Sequence, residues 1–114
     1  MTSTEALVQL LSQAVAKQKI YPDVVPAEVQ PPFVAYSEES QSNTTFDGNG
    51  GDVDTTVVTV VAQTKREARE LADRVVGAVD GKLSEGYAFY FQGRKFVMYA
   101  DERLSSYELT FNIL

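Results

Sequence analysis

The sequence predicts an α+β protein in which an antiparallel sheet carries two helices, in the order α-β-β-α-β-β-β. Three observations predict it. Two segments repeat apolar residues at i, i+3, i+4 spacing, the period of an amphipathic helix. The remaining regular segments are β-branched or alternate with period two. These strands come in groups around the second helix, a pattern of α+β sheets rather than of single strands alternating with helices. At 114 residues the chain suits one domain, 1–114.

Residues 2–18 form the first predicted helix. Leu7, Leu10, Leu11, Ala14 and Val15 make its apolar stripe. Thr2 and Glu5 have capping-box spacing, and Lys17 and Lys19 suit the negative end of the helix dipole. Residues 19–32 hold all four prolines, Pro22, Pro26, Pro31 and Pro32. Proline lacks the amide hydrogen and fixes φ, so this stretch is expected to be an extended connector, neither helix nor central strand.

Residues 33–114 then supply the sheet and the central helix. Phe33–Ser40 is the first predicted strand, with Val34 and Tyr36 on one side and Phe33 and Ala35 on the other. A polar stretch from Gln41 to Asp54 leads to the β-branched run Thr55–Gln63, giving a wide hairpin. The clearest helix follows in "TKREARELADRVVGAVDG". Thr64 and Glu67 form its capping box, and Ala68, Leu71, Ala72, Val75 and Val79 its apolar face. Glu70 and Arg74 stand in a favourable i,i+4 order, and Gly81 is placed to end the helix. Tyr87–Phe91 and Lys95–Tyr99 are expected to pair through a tight turn near Gly93. Tyr107, Leu109, Phe111 and Ile113 alternate with polar residues in a last strand.

Composition excludes several chemistries. There is no cysteine and no histidine, which removes disulfides, ordinary zinc sites and Ser-His-Asp or Cys-His catalysis. A net charge of −6 disfavours tracking a phosphate backbone, so no specific nucleic-acid binding is expected. "MTSTEALVQLL" has no leader-peptide pattern, and no apolar run reaches membrane-spanning length.

The sequence offers three candidate sites. The loop "FDGNGGDVD" suggests calcium, but an EF-hand register from Asp47 puts Asp52 at the glycine position and Val58 at the bidentate acid position. A looser site of Asp47, Asp52 and Asp54 remains as an ion- or ligand-binding alternative. Glu38-Glu39, Asp52/Asp54 and Asp101-Glu102 supply acids, but nothing in the sequence makes a pair converge as a hydrolase needs. No enzyme activity and no cofactor are expected. "GRKFVMY", Gly93–Tyr99, shares its end with an RNA-binding signature but has Arg94 and Lys95 where an aromatic and a small residue belong. An aromatic strand packed on the second helix explains it equally. Arg66, Arg69 and Arg74, interleaved with Glu67, Glu70 and Asp73, read as that helix's solvated face. The long Gly-Asp loop reads either as a hairpin tip or as an interaction surface.

Taken in order, "IYPDVVP", "PPFVAYSEES", "FDG", the helix "TKREARELADRVVGAVDG" and the closing "YELTFNI" resemble the tail-completion, or tail-terminator, proteins of long-tailed bacteriophages and prophages. The resemblance covers Ile20 to Leu114. It departs at Phe46-Asp47-Gly48, where the family often has Leu-Asp-Gly and nearby basic residues rather than acids. The resemblance implies a structural virion protein, assembled in the bacterial cytoplasm, that caps the tail tube and joins tail to head. It implies a ring, typically a hexamer, with the tail tube protein and the head–tail connector as further partners. A head–tail adaptor or neck protein is the nearby alternative. The expected interface residues are then Thr45, Phe46, Asp47, Gly48, Asn49, Gly50, Asp52 and Asp54 of the loop, with Tyr21, Pro22 and Pro26 of the proline-rich arm.

Overall fold

A computed structural model of the chain describes residues 3–22, 30–41, 53–84, 86–99 and 104–113. Helix α1 spans Ser3–Leu11 and a 3-10 turn spans Lys17–Lys19. Strands β1 (Ile20–Pro22), β2 (Phe33–Gln41) and β3 (Val53–Ala62) precede helix α2 (Lys65–Val79). Strands β4 (Lys82–Ser84), β5 (Tyr87–Tyr99) and β6 (Leu104–Ile113) follow it. The six strands form one sheet in the order β1-β2-β3-β6-β5-β4.

The α+β class and the two helices hold, but the sheet is mixed and the predicted order is altered. β1 runs parallel to β2, pairing Ile20 with Val34 and Pro22 with Tyr36, while every other pairing is antiparallel. This strand lies inside the stretch expected to be a plain connector. It survives there because it sits at the sheet edge and places Pro22 last, where a missing amide hydrogen costs no ladder bond. Lys19 Nζ donates to the carbonyl of Gln30 at 3.0 Å, tying the two ends of the arm together.

α1 stops at Leu11 rather than at residue 18. Ser12 Oγ donates to the Gln9 carbonyl at 2.6 Å, an alternative to continued helix that serine readily takes. The next amides, Gln13 and Ala14, bond to carbonyls three residues back, so the helix tightens into a turn. Ala14 and Val15 still pack on the core from that turn. Thr2, half of the expected capping box, lies outside the described residues.

α2 forms as the sequence reads. Thr64 accepts a hydrogen bond from the Glu67 amide at 3.1 Å, a cap of about 1 kcal/mol. Its buried residues are Ala68, Leu71, Ala72, Val75 and Val79, the predicted apolar face. Leu71, Val75 and Val79 each stabilise the fold by about 1.5–3 kcal/mol through burial. Glu70 makes its ion pair with Arg66, at 3.4 Å, one turn earlier than the expected Arg74. Asp80 caps the helix, and Gly81 follows with φ +70, the left-handed conformation glycine adopts at least cost.

The largest difference lies after α2. Tyr87–Phe91 and Lys95–Tyr99 do not fold back on each other; they form one 13-residue strand, β5. Gly93 follows a register shift rather than forming a turn, so an irregularity absorbs the extra residue between Phe91 and Gly93. The reason is the partner. β6 is a ten-residue strand whose Leu104 reaches Tyr99 and whose Ile113 reaches Phe89, so it needs a strand of that full length beside it. β4 is a three-residue addition on the outer side of β5, below the length that alternation can reveal.

Candidate assembly surface

Both helices pack on one face of the sheet. Val34, Val58, Val60, Leu109, Phe111, Phe89, Tyr107 and Ile113 meet Leu7, Leu11, Leu71 and Val75 in a single apolar core. Phe96 joins its edge, 5.4 Å from the Tyr107 ring, and Lys65 of α2 lies 4.7 Å above it. The strand with the RNA-binding echo is thus an aromatic strand held under α2. Arg66, Arg69 and Arg74 are exposed on the outer side of that helix together with Glu67, Glu70 and Asp73.

The opposite face carries a different set. Register alternation places Ala35, Thr59, Glu108 and Lys95 in one row across four strands. Ser37, Val57, Thr110 and Gly93 make the next row, and Thr55, Asn112 and Tyr90 another. These rows are mostly small, β-branched or uncharged, apart from Glu108 directly opposite Lys95 and Glu39 at the register position beside Thr55. At one end of this face Phe33 and Val61 are fully buried cross-strand partners, and the Tyr21 ring stands edge-on to Phe33 at 6.1 Å.

The sheet edges are also uneven. β1 covers only Val34–Tyr36 of β2, and β4 covers only Tyr87–Phe89 of β5. Phe91 donates its amide to Asp80 Oδ1 at 2.9 Å. Among the described residues, no strand pairs with the outer side of β5 from Tyr90 to Tyr99, nor with the outer side of β2 from Ser37 to Gln41. Leu83 of β4 is 73% exposed and Tyr90 of β5 is 43% exposed.

Of the residues expected to form an interface, Tyr21, Pro22 and Asp54 lie within the described residues. Tyr21 is half-buried on β1 and Pro22 exposed at its end. Asp54 is a β3 position paired with Ser40 and Ile113. Thr45, Phe46, Asp47, Gly48, Asn49, Gly50, Asp52 and Pro26 lie outside the described residues, as do Asp101 and Glu102. The loop leaves β2 at Gln41, about 17 Å along the strand from the Tyr36 position beside Pro22. Sequence reading missed Leu83 and the open side of β5. Their signal was weak: a leucine between Gly81 and Gly86, and a glycine at 93 that reads as a turn. Among the described residues, no group of three or more acids is placed to hold a metal, and no helix is long and apolar enough to cross a membrane. A cleft of about 330 Å³ lies between Pro31-Pro32 and α2, with Glu67, Glu70 and Arg74 on its wall.

These features define an α+β protein with two helices on one face of a mixed six-stranded sheet and, among the described residues, a half-buried opposite face and two sheet edges that are only partly paired. A family model described as tail completion protein gp17 matches residues 4–114, and the chain belongs to that family of structural bacteriophage proteins. It is thereby a structural component of a phage virion. Among solved structures, a chain from the "Virion of native gene transfer agent (GTA) particle" superposes with a TM-score of 0.70 at 18% identity. The match covers 97% of this chain and 92% of that one, and it shows a shared fold. No curated protein matches the sequence.

Proposed function

We propose that this protein completes the phage tail: it caps the tail tube as a ring, a hexamer, and presents a docking face to the head–tail connector. The family match across residues 4–114 carries this reading. It acts by binding rather than by catalysis and is assembled into the particle in the host cytoplasm. The loop residues Thr45–Asp54, with Phe46 as apolar anchor, and the arm residues Tyr21, Pro22 and Pro26 make contacts to neighbouring rings. The net charge of −6 suits a lumen through which DNA slides without sticking, because like charges repel.

Light scattering on the purified protein, followed by negative-stain microscopy with tail tubes added, tests the proposal. Rings in solution or at tube ends are expected. A protein that stays monomeric at high concentration and leaves tube ends bare overturns it. A lumen that maps as basic overturns the charge argument alone.

A further inference from the structure

We infer that neighbouring subunits join through one short strand: the outer side of β1 in one copy pairs with β5, at Arg94–Phe96, in the next. This rests on the ring reading above and names the contact that closes the ring.

One row of side chains on the helix side runs the full width of the sheet. Ile20 stands beside Val34, Val34 beside Val60, Val60 beside Tyr107, and Tyr107 beside Phe96. Every member is apolar or aromatic. Val34 and Val60 are fully buried, while Ile20 and Phe96 pack on the core and stay only half-buried. The row thus ends, still apolar, at both margins of the sheet. β1 is the outermost strand on one side. On the other side β4 covers only Tyr87–Phe89, so β5 is outermost at Phe96. A second copy that sets its Ile20 beside Phe96 continues the row and removes more of both side chains from water.

Height and direction agree with this pairing. A rotation about an axis along the strands keeps each residue at its own height. Ile20 and Phe96 share a row, so the rotation brings them level, with Tyr21 level with Lys95 and Pro22 level with Arg94. β1 runs with β2, and the three antiparallel steps from β2 to β5 leave β1 and β5 opposed. β4 occupies another part of the same column, because Phe89, its partner, is level with Ile113, Asp54 and Ser40. One copy's β4 and the next copy's β1 then lie end to end between β5 and the next β2. Those two strands stand about 10 Å apart, two strand spacings. The contact joins unlike surfaces, the heterologous kind that repeats around a ring.

The backbone of β5 is open where the pairing needs it. Near β4 its outward groups are taken: Gly81 donates to the Phe89 carbonyl at 2.7 Å and Phe91 donates to Asp80. Past the register shift, the Ser106 hydroxyl donates to the Val97 carbonyl at 2.6 Å, so Val97 turns toward β6. Strand alternation then turns the amides and carbonyls of Arg94 and Phe96 outward. The same alternation, followed across the sheet, turns those of Ile20 and Pro22 outward on β1. Ile20 and Phe96 exchange two backbone bonds, and the Arg94 amide donates to the Pro22 carbonyl. Only the bond that proline cannot donate is missing. The pair Arg94–Asp73 and the bonds of Asp80 and Gly81 are undisturbed. Two β5 edges brought together would instead crowd Arg94 and Lys95 against their own kind.

Amide exchange on the native chain tests the seam. Under conditions where light scattering shows rings, exchange into deuterium is quenched, the rings are dissociated, and the amides are read by NMR. The amides of Ile20, Arg94 and Phe96 are expected to exchange about tenfold or more slowly in rings than in dilute monomer. The Lys95 amide, directed at β6, changes less. Rings without added protection at those three amides overturn the seam and leave the ring intact. Absence of rings with and without tubes overturns the ring reading, and the seam with it. The chain has no native cysteine, so a second arm uses the full-length variants Tyr21→Cys and Lys95→Cys under mild oxidation. A disulfide-linked dimer is expected in assembled mixtures and not with either variant alone. Assembled mixtures that give no such dimer, or a single variant that gives as much, count against the pairing; melting curves confirm that both variants are folded.

Discussion

The aromatic contact between Tyr21 and Phe33 decides whether the proline-rich arm is part of the fold or only lies along it. The rings meet edge-on at 6.1 Å, and Phe33 is 2% exposed. Phe33→Ala costs about 3–5 kcal/mol, a large share of the roughly 5–15 kcal/mol that holds a small domain together, so a milder variant is preferable. Phe33→Leu keeps an apolar side chain of smaller volume and costs about 1–1.5 kcal/mol. Tyr21→Ala removes a half-buried ring and costs on the order of 1 kcal/mol. If the rings interact as their geometry indicates, the double variant is less destabilised than the sum by about 0.5–1.5 kcal/mol. Urea unfolding followed by circular dichroism, at dilutions where the protein is monomeric, measures all four corners of the cycle. Effects that add to within about 0.3 kcal/mol refute the reasoning: the arm would then be held by its backbone pairing to Val34–Tyr36 and by the Lys19–Gln30 bond without help from the ring pair.

Other outcomes follow from single contacts. Thr64→Ala lowers stability by about 1 kcal/mol in thermal melts, whereas Thr64→Ser stays close to the parent, because serine accepts the same bond from Glu67. Gly81→Ala costs about 1 kcal/mol in the same assay; nothing lies within 4 Å of the added methyl, so the cost is that of a positive φ alone. Asp73→Asn changes stability by less than about 1 kcal/mol, since its pair with Arg94 is largely exposed, and added salt makes the difference smaller still. Millimolar calcium leaves the melting temperature unmoved; an upward shift that scales with calcium concentration would revive an ion-binding role for the acidic loop.

What the amino-acid pattern revealed depended on length and burial. α2 carries its cap, its stripe and its stop signal in one continuous stretch, so its buried residues are legible in the sequence. β6 alternates because one side is core and the other only half-buried. β5 was misread because Gly93 serves a register shift and a turn equally well, and only the length of β6 decides between them. β1 and β4 are too short to show a period, and β1 hides among prolines. α1 was overextended because Ala14 and Val15 remain apolar contacts after the helix has ended. The surface was harder still. An open edge is a property of what does not pair with a strand, and a single sequence carries no mark of a missing neighbour beyond the charges on the strand itself.

The positions of the two hairpin connections have a consequence for handling in the particle. Residues 42–52 join β2 to β3 at the end where Asp54 pairs with Ile113, and residues 100–103 join β5 to β6 at the other end, where Tyr99 pairs with Leu104. In a ring whose axis follows the strands, these two ends of the sheet face opposite openings, and they differ in sequence: the segment after β2 is longer, acidic and rich in glycine, and the segment after β5 is four residues with Asp101, Glu102 and Arg103. Such a ring is a washer with two distinguishable sides, and a part of that kind seats in only one orientation between what lies above it and what lies below.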